Sequence, residues 1–158
     1  KAHRSSEGIM MPRTDPEKLR PAAACAIVFD EEKRVLLQQR SDNGLWAIPG
    51  GAIEAGETAA AAAIRETREE TGYDVEVVRL LGVYSHPDDT TVRYPDGNSW
   101  EWVTVAFECR VTGGRPATSD ETLDMQWYPT EALPSSLKPS HKSRILDALE
   151  GRQAAFYS

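Results

Sequence analysis

The chain is a succession of short apolar runs separated by polar breaks, and its periodicity turns helical twice. Ala22–Phe29 (AAACAIVF) is continuously apolar and closes on the charged turn Asp30–Lys33, after which Val35–Arg40 (VLLQQR) follows. Two such runs flanking a polar turn predict a β-hairpin. Ser41–Gly44 is a second turn, and Leu45–Ile48 predicts a short strand that feeds Pro49-Gly50-Gly51. Further on, Asp74–Ser85 alternates apolar and polar residues and predicts a strand. Trp100–Thr112 (WEWVTVAFECRVT) predicts another. Its alternation puts Trp100, Trp102, Thr104, Ala106 and Glu108 on one face, and Glu101, Val103, Val105, Phe107 and Cys109 on the other. An acidic loop over Ala117–Asp124 leads to a brief strand at Met125–Tyr128.

The first change of period falls at Thr58–Gly72, which predicts a helix. Thr58 is a capping residue, Ala59–Ala63 are strong helix formers, and Gly72 supplies a left-handed stop. Its expected buried stripe is Ala60, Ile64, Thr67 and Thr71. A second helix is expected over His141–Gln153, with Ile145, Leu146 and Leu149 at helical spacing. Strands before and after a central helix, with another helix at the end, predict an α/β class: a mixed β-sheet sandwiched between helices. Pro12, Pro16 and Pro21 punctuate the start of the chain. Residues 1–20 are therefore expected to be a flexible lead-in, with a single domain over 21–158.

Composition narrows the functional classes. The chain has 158 residues, 40% hydrophobic and 27% charged, which is ordinary for a globular domain. A net charge of −7 argues against a nucleic-acid polymer as partner, which calls for a basic footprint. No apolar run is long enough to predict a membrane helix, and no signal peptide is visible. Cys25 and Cys109 lie within strand-like runs and read as buried free thiols. A cytoplasmic setting is the expectation, and a homodimer stays open.

The chemistry concentrates on the central helix. At about 100° per residue, Glu66, Glu69 and Glu70 share an arc of roughly 100° beside the buried stripe. Like charges at these spacings repel by a few tenths of a kcal/mol per pair, ~0.2–0.5. They are either a solvated acidic face or ligands for a cation. Hard divalent ions take oxygen ligands, namely a few carboxylates, waters and substrate phosphate oxygens. The Gly50–Gly51 pair favours the second reading, because glycines let the backbone approach a ligand and place the Gly50 carbonyl as a further metal ligand.

Gly51, Glu57 and the run Arg65-Glu66-Thr67-Arg68-Glu69-Glu70-Thr71-Gly72-Tyr73 resemble the Nudix box of the Nudix hydrolases. Every fixed Gly, Arg and Glu of the pattern is present; Thr67 stands where the family usually has an aliphatic residue. A weaker resemblance extends over residues 22–150. It implies the Nudix fold, an α/β/α sandwich, and a Mg²⁺-dependent hydrolase, with Mn²⁺ as a substitute. The reaction implied is cleavage of a diphosphate linkage in a nucleoside diphosphate joined to another moiety: a nucleoside triphosphate, ADP-ribose or a nucleotide sugar. Expected metal ligands are Gly50, Glu66, Glu69 and Glu70, with Glu69 and Glu70 foremost and Glu66 either a third ligand or the residue that orients water. Arg65 and Glu57 are expected to pair and tie loop to helix. The general base of this family lies on the central helix or on a distant loop. Glu121 is the remote candidate, ahead of Asp120 and Asp124. Arg40 is either a salt-bridged surface charge or, as in relatives, a contact to substrate phosphate. Tyr84, His86, Arg93, Tyr94 and Trp100 flank a loop of turn-forming composition and are candidates to hold a base, although Trp100 and Trp102 read better as core. Pro87 stands near where ADP-ribose-cleaving members carry a proline. Two other classes stay in view: a Nudix module that senses a nucleotide without cleaving it, and an isomerase acting on a diphosphate ester.

Overall fold

The computed structural model describes residues 20–93 and 96–158, so all but the last residue of the expected lead-in lies outside the described residues. The predicted hairpin is present as β1 (Ala22–Phe29) and β2 (Val35–Arg40). β3 (Trp46–Ala47) pairs antiparallel with β2. The glycine segment expected as loop forms a short strand, β4 (Gly50–Ala52), antiparallel to β1 through Cys25–Gly50, Ala24–Gly51 and Ala23–Ala52. There follow α1 (Ala59–Thr71) and β5 (Tyr73–Tyr84). The turn-rich loop is a single helical turn, α2 (Pro87–Thr90), and a small separate hairpin of β6 (Thr91–Arg93) and β7 (Ser99–Glu101). The long strand expected from Trp100 is broken at Trp102, and its main part is β8 (Val103–Gly114). β9 (Thr122–Tyr128), α3 (Pro139–Leu149) and β10 (Phe156–Tyr157) complete the chain.

One eight-stranded mixed sheet runs in the order β10-β5-β8-β1-β2-β3, with β4 also on β1 and β9 on β2. β1 and β8 are parallel along the whole length of β1, from Ala22–Val103 to Phe29–Arg110. A strand covered on both faces has no need of polar alternation, which is why β1 reads as an unbroken apolar run. Ala24, Ala26 and Val28 pack towards α1 with Ala62, Ala63, Phe107 and Cys109. Cys25 and Ile27 pack on the opposite face with Leu81, Ala106, Ile145 and Ala148 of the α3 side. The two helices therefore cover opposite faces, giving the expected α/β/α sandwich. β8 follows its predicted alternation, with Ala106 on the α3 face and Phe107 and Cys109 on the α1 face. Both cysteines are free and buried. No helix among the described residues is long and apolar enough to cross a membrane.

Three packing details differ from the pattern-based expectation. On α1 the buried residues are Ala62, Ala63, Thr67, Glu70 and Thr71, while Ala60 and Ile64 are half-buried. The stripe is rotated because small alanines let the helix settle close onto the alanine-rich face of β1, and that rotation takes Glu70 inwards. On α3 the buried stripe is Ser140, Arg144, Ile145 and Ala148, with Leu146 and Leu149 exposed. Trp100 is 38% exposed in the small hairpin and so is not a core residue; Trp102 is half-buried.

Candidate active site

The geometry is set from the ends of α1. At its start the Thr58 side chain accepts from Ala61 N–H at 3.1 Å. At its end Gly72 is left-handed, φ 76°, and its N–H reaches Arg68 O at 2.8 Å. A Cβ on Gly72 would lie 2.1 Å from Arg115 O, so only glycine fits where the next loop docks. That loop caps the helix: Ala117 N–H donates to Thr71 O at 2.9 Å and Arg115 N–H to Gly72 O at 3.1 Å. These bonds satisfy carbonyls that the helix itself leaves orphaned. They also fix the acidic loop beside α1. Its other end is tied to β2 by Ser41 N–H donating to Glu121 O at 2.9 Å.

As a result Glu121, predicted only as a remote candidate, lines the same cleft as Arg40, Gly50, Gly51, Glu66 and Glu69. Glu70 stands behind this wall. It is 4% exposed, and its Oε2 accepts the Gly50 N–H at 2.9 Å. Burial pushes its carboxyl up to about 7, with the charge of Glu66 adding to the rise, while the Gln38 side chain and the Gly50 N–H pull it down. Burial also raises Glu66, opposed by Arg65 and reinforced by the charges of Glu69 and Glu121. A Cβ on Gly51 would lie 2.5 Å from Glu66 Oε1, so a side chain at this position would displace the helix carboxylate.

Arg65 accounts for how three acids are tolerated on one helix. It grips both Glu57 oxygens, at 2.7 and 3.1 Å, and donates to Ala52 O at 3.1 Å. It also meets Glu66 at 2.8 Å and Glu69 at 3.2 Å. The loop-to-helix pairing of Arg65 with Glu57 is thus present. The guanidinium offsets the like-charge repulsion and pins both ends of the loop before the helix. Among the described residues no three carboxylate, imidazole or thiol groups already converge as a closed metal cage. Arg65 holds Glu66 and Glu69, and Gly50 holds Glu70.

Arg40 is engaged by Asp42 through two contacts, 2.9 and 2.7 Å, and it also borders a second, larger cavity. That cavity shares the Gly50–Ala52 wall with the cleft and is closed by Thr90–Arg93, Trp102 and one side of α3. Of the predicted base-binding residues, Arg93 lines it. Tyr84 does not: it is 6% exposed, packed in the α3-side core, and its hydroxyl donates to Asp147 at 2.7 Å. It has no free ring face to offer a base. His86 is exposed and caps α2, accepting from Asp88 N–H at 3.3 Å. Tyr94 lies outside the described residues. Three cavity residues, Lys138, His141 and Arg144, went unread in the sequence. Their spacing of three along α3 was the available signal, since it sets polar side chains along one side of a helix that also carries the buried Ile145.

The NUDIX domain model matches residues 18–149 of this chain. A MutT-like protein of Streptomyces ambofaciens is 35% identical over 84% of this chain and 79% of its own length. A putative 8-oxo-dGTP diphosphatase of Bacillus subtilis is 35% identical over 82% of this chain and 80% of its own. An ADP-ribose pyrophosphatase of Methanocaldococcus jannaschii is 36% identical over 82% and 73%. Among solved structures, an ADP-ribose pyrophosphatase from Streptococcus suis superposes with a TM-score of 0.68 at 24% identity, covering 88% of this chain and 98% of that one. The similarity of that structure bears on the fold.

Proposed function

The chain belongs to the Nudix hydrolase family, and from that membership we propose that it is a Mg²⁺-dependent hydrolase of a diphosphate linkage in a nucleoside diphosphate joined to another moiety. One observation carries this reading: Glu66, Glu69, Glu121 and Arg40 line one cleft, against glycines that leave the backbone bare. The donor set suits a hard divalent ion. It is all oxygen, with no thiol or imidazole among the cleft residues, and the buried Glu70 forms no ion pair among the described residues. Glu66, Glu69 and Glu70, with the Gly50 carbonyl, are the proposed ligands, and Mn²⁺ is expected to substitute. An ion held there would neutralise diphosphate oxygens and lower the pKa of bound water.

The chain's own residues supply the rest. Glu121 faces the carboxylates of α1 from a separately anchored loop, and is assigned the proton of the attacking water. Arg40 sits where the cleft meets the larger cavity and exchanges Asp42 for a substrate phosphate. The larger cavity holds the remainder of the substrate. Relatives named for ADP-ribose and for 8-oxo-dGTP place nucleoside triphosphates, ADP-ribose and nucleotide sugars first for trial. The test is release of nucleotide or phosphate from a panel of these compounds with and without Mg²⁺. Turnover of at least one, dependent on the metal, supports the assignment; tight nucleotide binding with no cleavage of any contradicts it and points to a sensor.

A further inference from the structure

The larger cavity encloses about 650 Å³, a volume suited to a small-molecule ligand. Its floor, where β1 meets α3, gathers the donors of Arg144, His141 and Lys138. Arg144 is 4% exposed there, with Nη1 3.9 Å from Cys25 Sγ and its guanidinium 5.0 Å from the Tyr84 ring centre. It makes no ion pair among the described residues, and its Nε has no hydrogen-bond partner. The nearest helical carboxylate along α3, Asp147, is taken by Tyr84. The buried Nε1–H of Trp102 also lacks a partner. His141 Nδ1 accepts the Ile48 N–H at 3.0 Å, which leaves the neutral ring's proton on Nε2. Lys138 adds a further cation to the same wall.

Buried charges in folded proteins are paired, because an unpaired one forfeits its hydration without compensation. Here the Nε–H of a buried guanidinium and an indole N–H lack partners beside an ammonium. Of the two carboxylates that line the cavity, Asp42 is held by Arg40 and Asp89 is exposed on α2. We propose that this floor is a subsite for an anionic group, a phosphoryl or a carboxylate, at the end of the substrate remote from the diphosphate that is cleaved. The inference rests on the reading that the neighbouring cleft holds the diphosphate. Arg40, Gly50 and Gly51 border both spaces, so one molecule reaches from one to the other.

The test uses the metal-free protein and two probes, inorganic phosphate and malonate, titrated separately while the Trp102 indole N–H and the His141 ring are followed by NMR. At least one anion should shift both signals saturably, and the responsive anion names the group. Lys138→Ala should weaken that binding at least tenfold; Lys138 is half-buried, so its truncation is expected to leave the fold intact, whereas Arg144→Met would alter a buried position. Silence of both signals towards both anions, or equal affinity in Lys138→Ala, would overturn the proposal. The titration needs neither metal nor turnover, so its failure leaves the hydrolase assignment standing, and a failure of hydrolysis leaves the titration readable.

Discussion

The backbone N–H of Gly50 donates to Glu70 Oε2 at 2.9 Å, joining residues 20 positions apart. Glycine strand and acidic helix are thereby one unit. Any ion or substrate phosphate drawn to the helix is presented to the bare backbone of β4. The contact also explains why Glu70 differs from its neighbours: it is the carboxylate that faces inwards, on the side of α1 occupied by Thr67 and Thr71.

Gly51→Ala separates positioning from stability. The added methyl would meet the end of the Glu66 side chain at 2.5 Å, a group that can swing aside. Stability should fall by no more than about 1 kcal/mol. Turnover should fall at least tenfold, because the displaced carboxylate no longer lines the cleft in register. Thermal melts and steady-state kinetics on the same preparation check both halves, and wild-type kcat in the variant would contradict the role given to this approach.

Glu121→Gln tests the remote base. A positioned general base contributes about 10²–10⁴-fold, so kcat should drop within that range while KM changes little. Circular dichroism should be unaltered, since the loop is anchored through the backbone of Glu121 rather than its carboxylate. A wild-type rate would return the base to the central helix.

His141 should make stability fall in mild acid. Desolvation holds its pKa well below the ordinary 6.5, with the charges of Arg144, Lys138 and Arg40 acting the same way. A folded-state value below the unfolded one means that the unfolded chain binds the extra proton. The contribution is therefore complete above pH 6.5 and is lost progressively as pH falls below it. For one proton the slope is at most about 1.4 kcal/mol per pH unit. Glu70, with its carboxyl raised to about 7, acts in the opposite sense over the same window and is common to both proteins. The difference in slope between wild type and His141→Gln, from denaturation between pH 7 and pH 5, therefore measures the His141 contribution. An unchanged slope in that variant would place the titrating group elsewhere.

How much of this was legible in the sequence depended on how local each determinant is. The hairpin of β1 and β2, the capping of α1 by Thr58 and Gly72, and the Arg65–Glu57 clamp all follow from neighbours along the chain, and each is present. The direction in which Glu70 points was not legible, because it depends on how closely Ala62 and Ala63 let the helix approach β1. The burial of Tyr84 and Trp100 is the reverse of that expected, for a similar reason. Both are aromatic and flank one loop, but Tyr84 belongs to a central strand under α3, whereas Trp100 belongs to a separate two-stranded hairpin. The contribution of α3 to the larger cavity requires Arg144 to meet Cys25, 119 residues earlier, and no local pattern reports that meeting.

The most direct measurement is Mg²⁺-dependent turnover of Glu70→Gln, compared with wild type on whichever diphosphate the panel identifies. The glutamine still accepts the Gly50 N–H and carries no charge to desolvate, so the metal-free variant should be at least as stable as wild type near neutral pH. Its turnover should nonetheless fall by orders of magnitude at all attainable Mg²⁺ concentrations, because a proposed ligand is gone. A folded Glu70→Gln protein that hydrolyses the same compound at the wild-type rate and with the wild-type Mg²⁺ dependence would contradict the assignment of the metal to this helix.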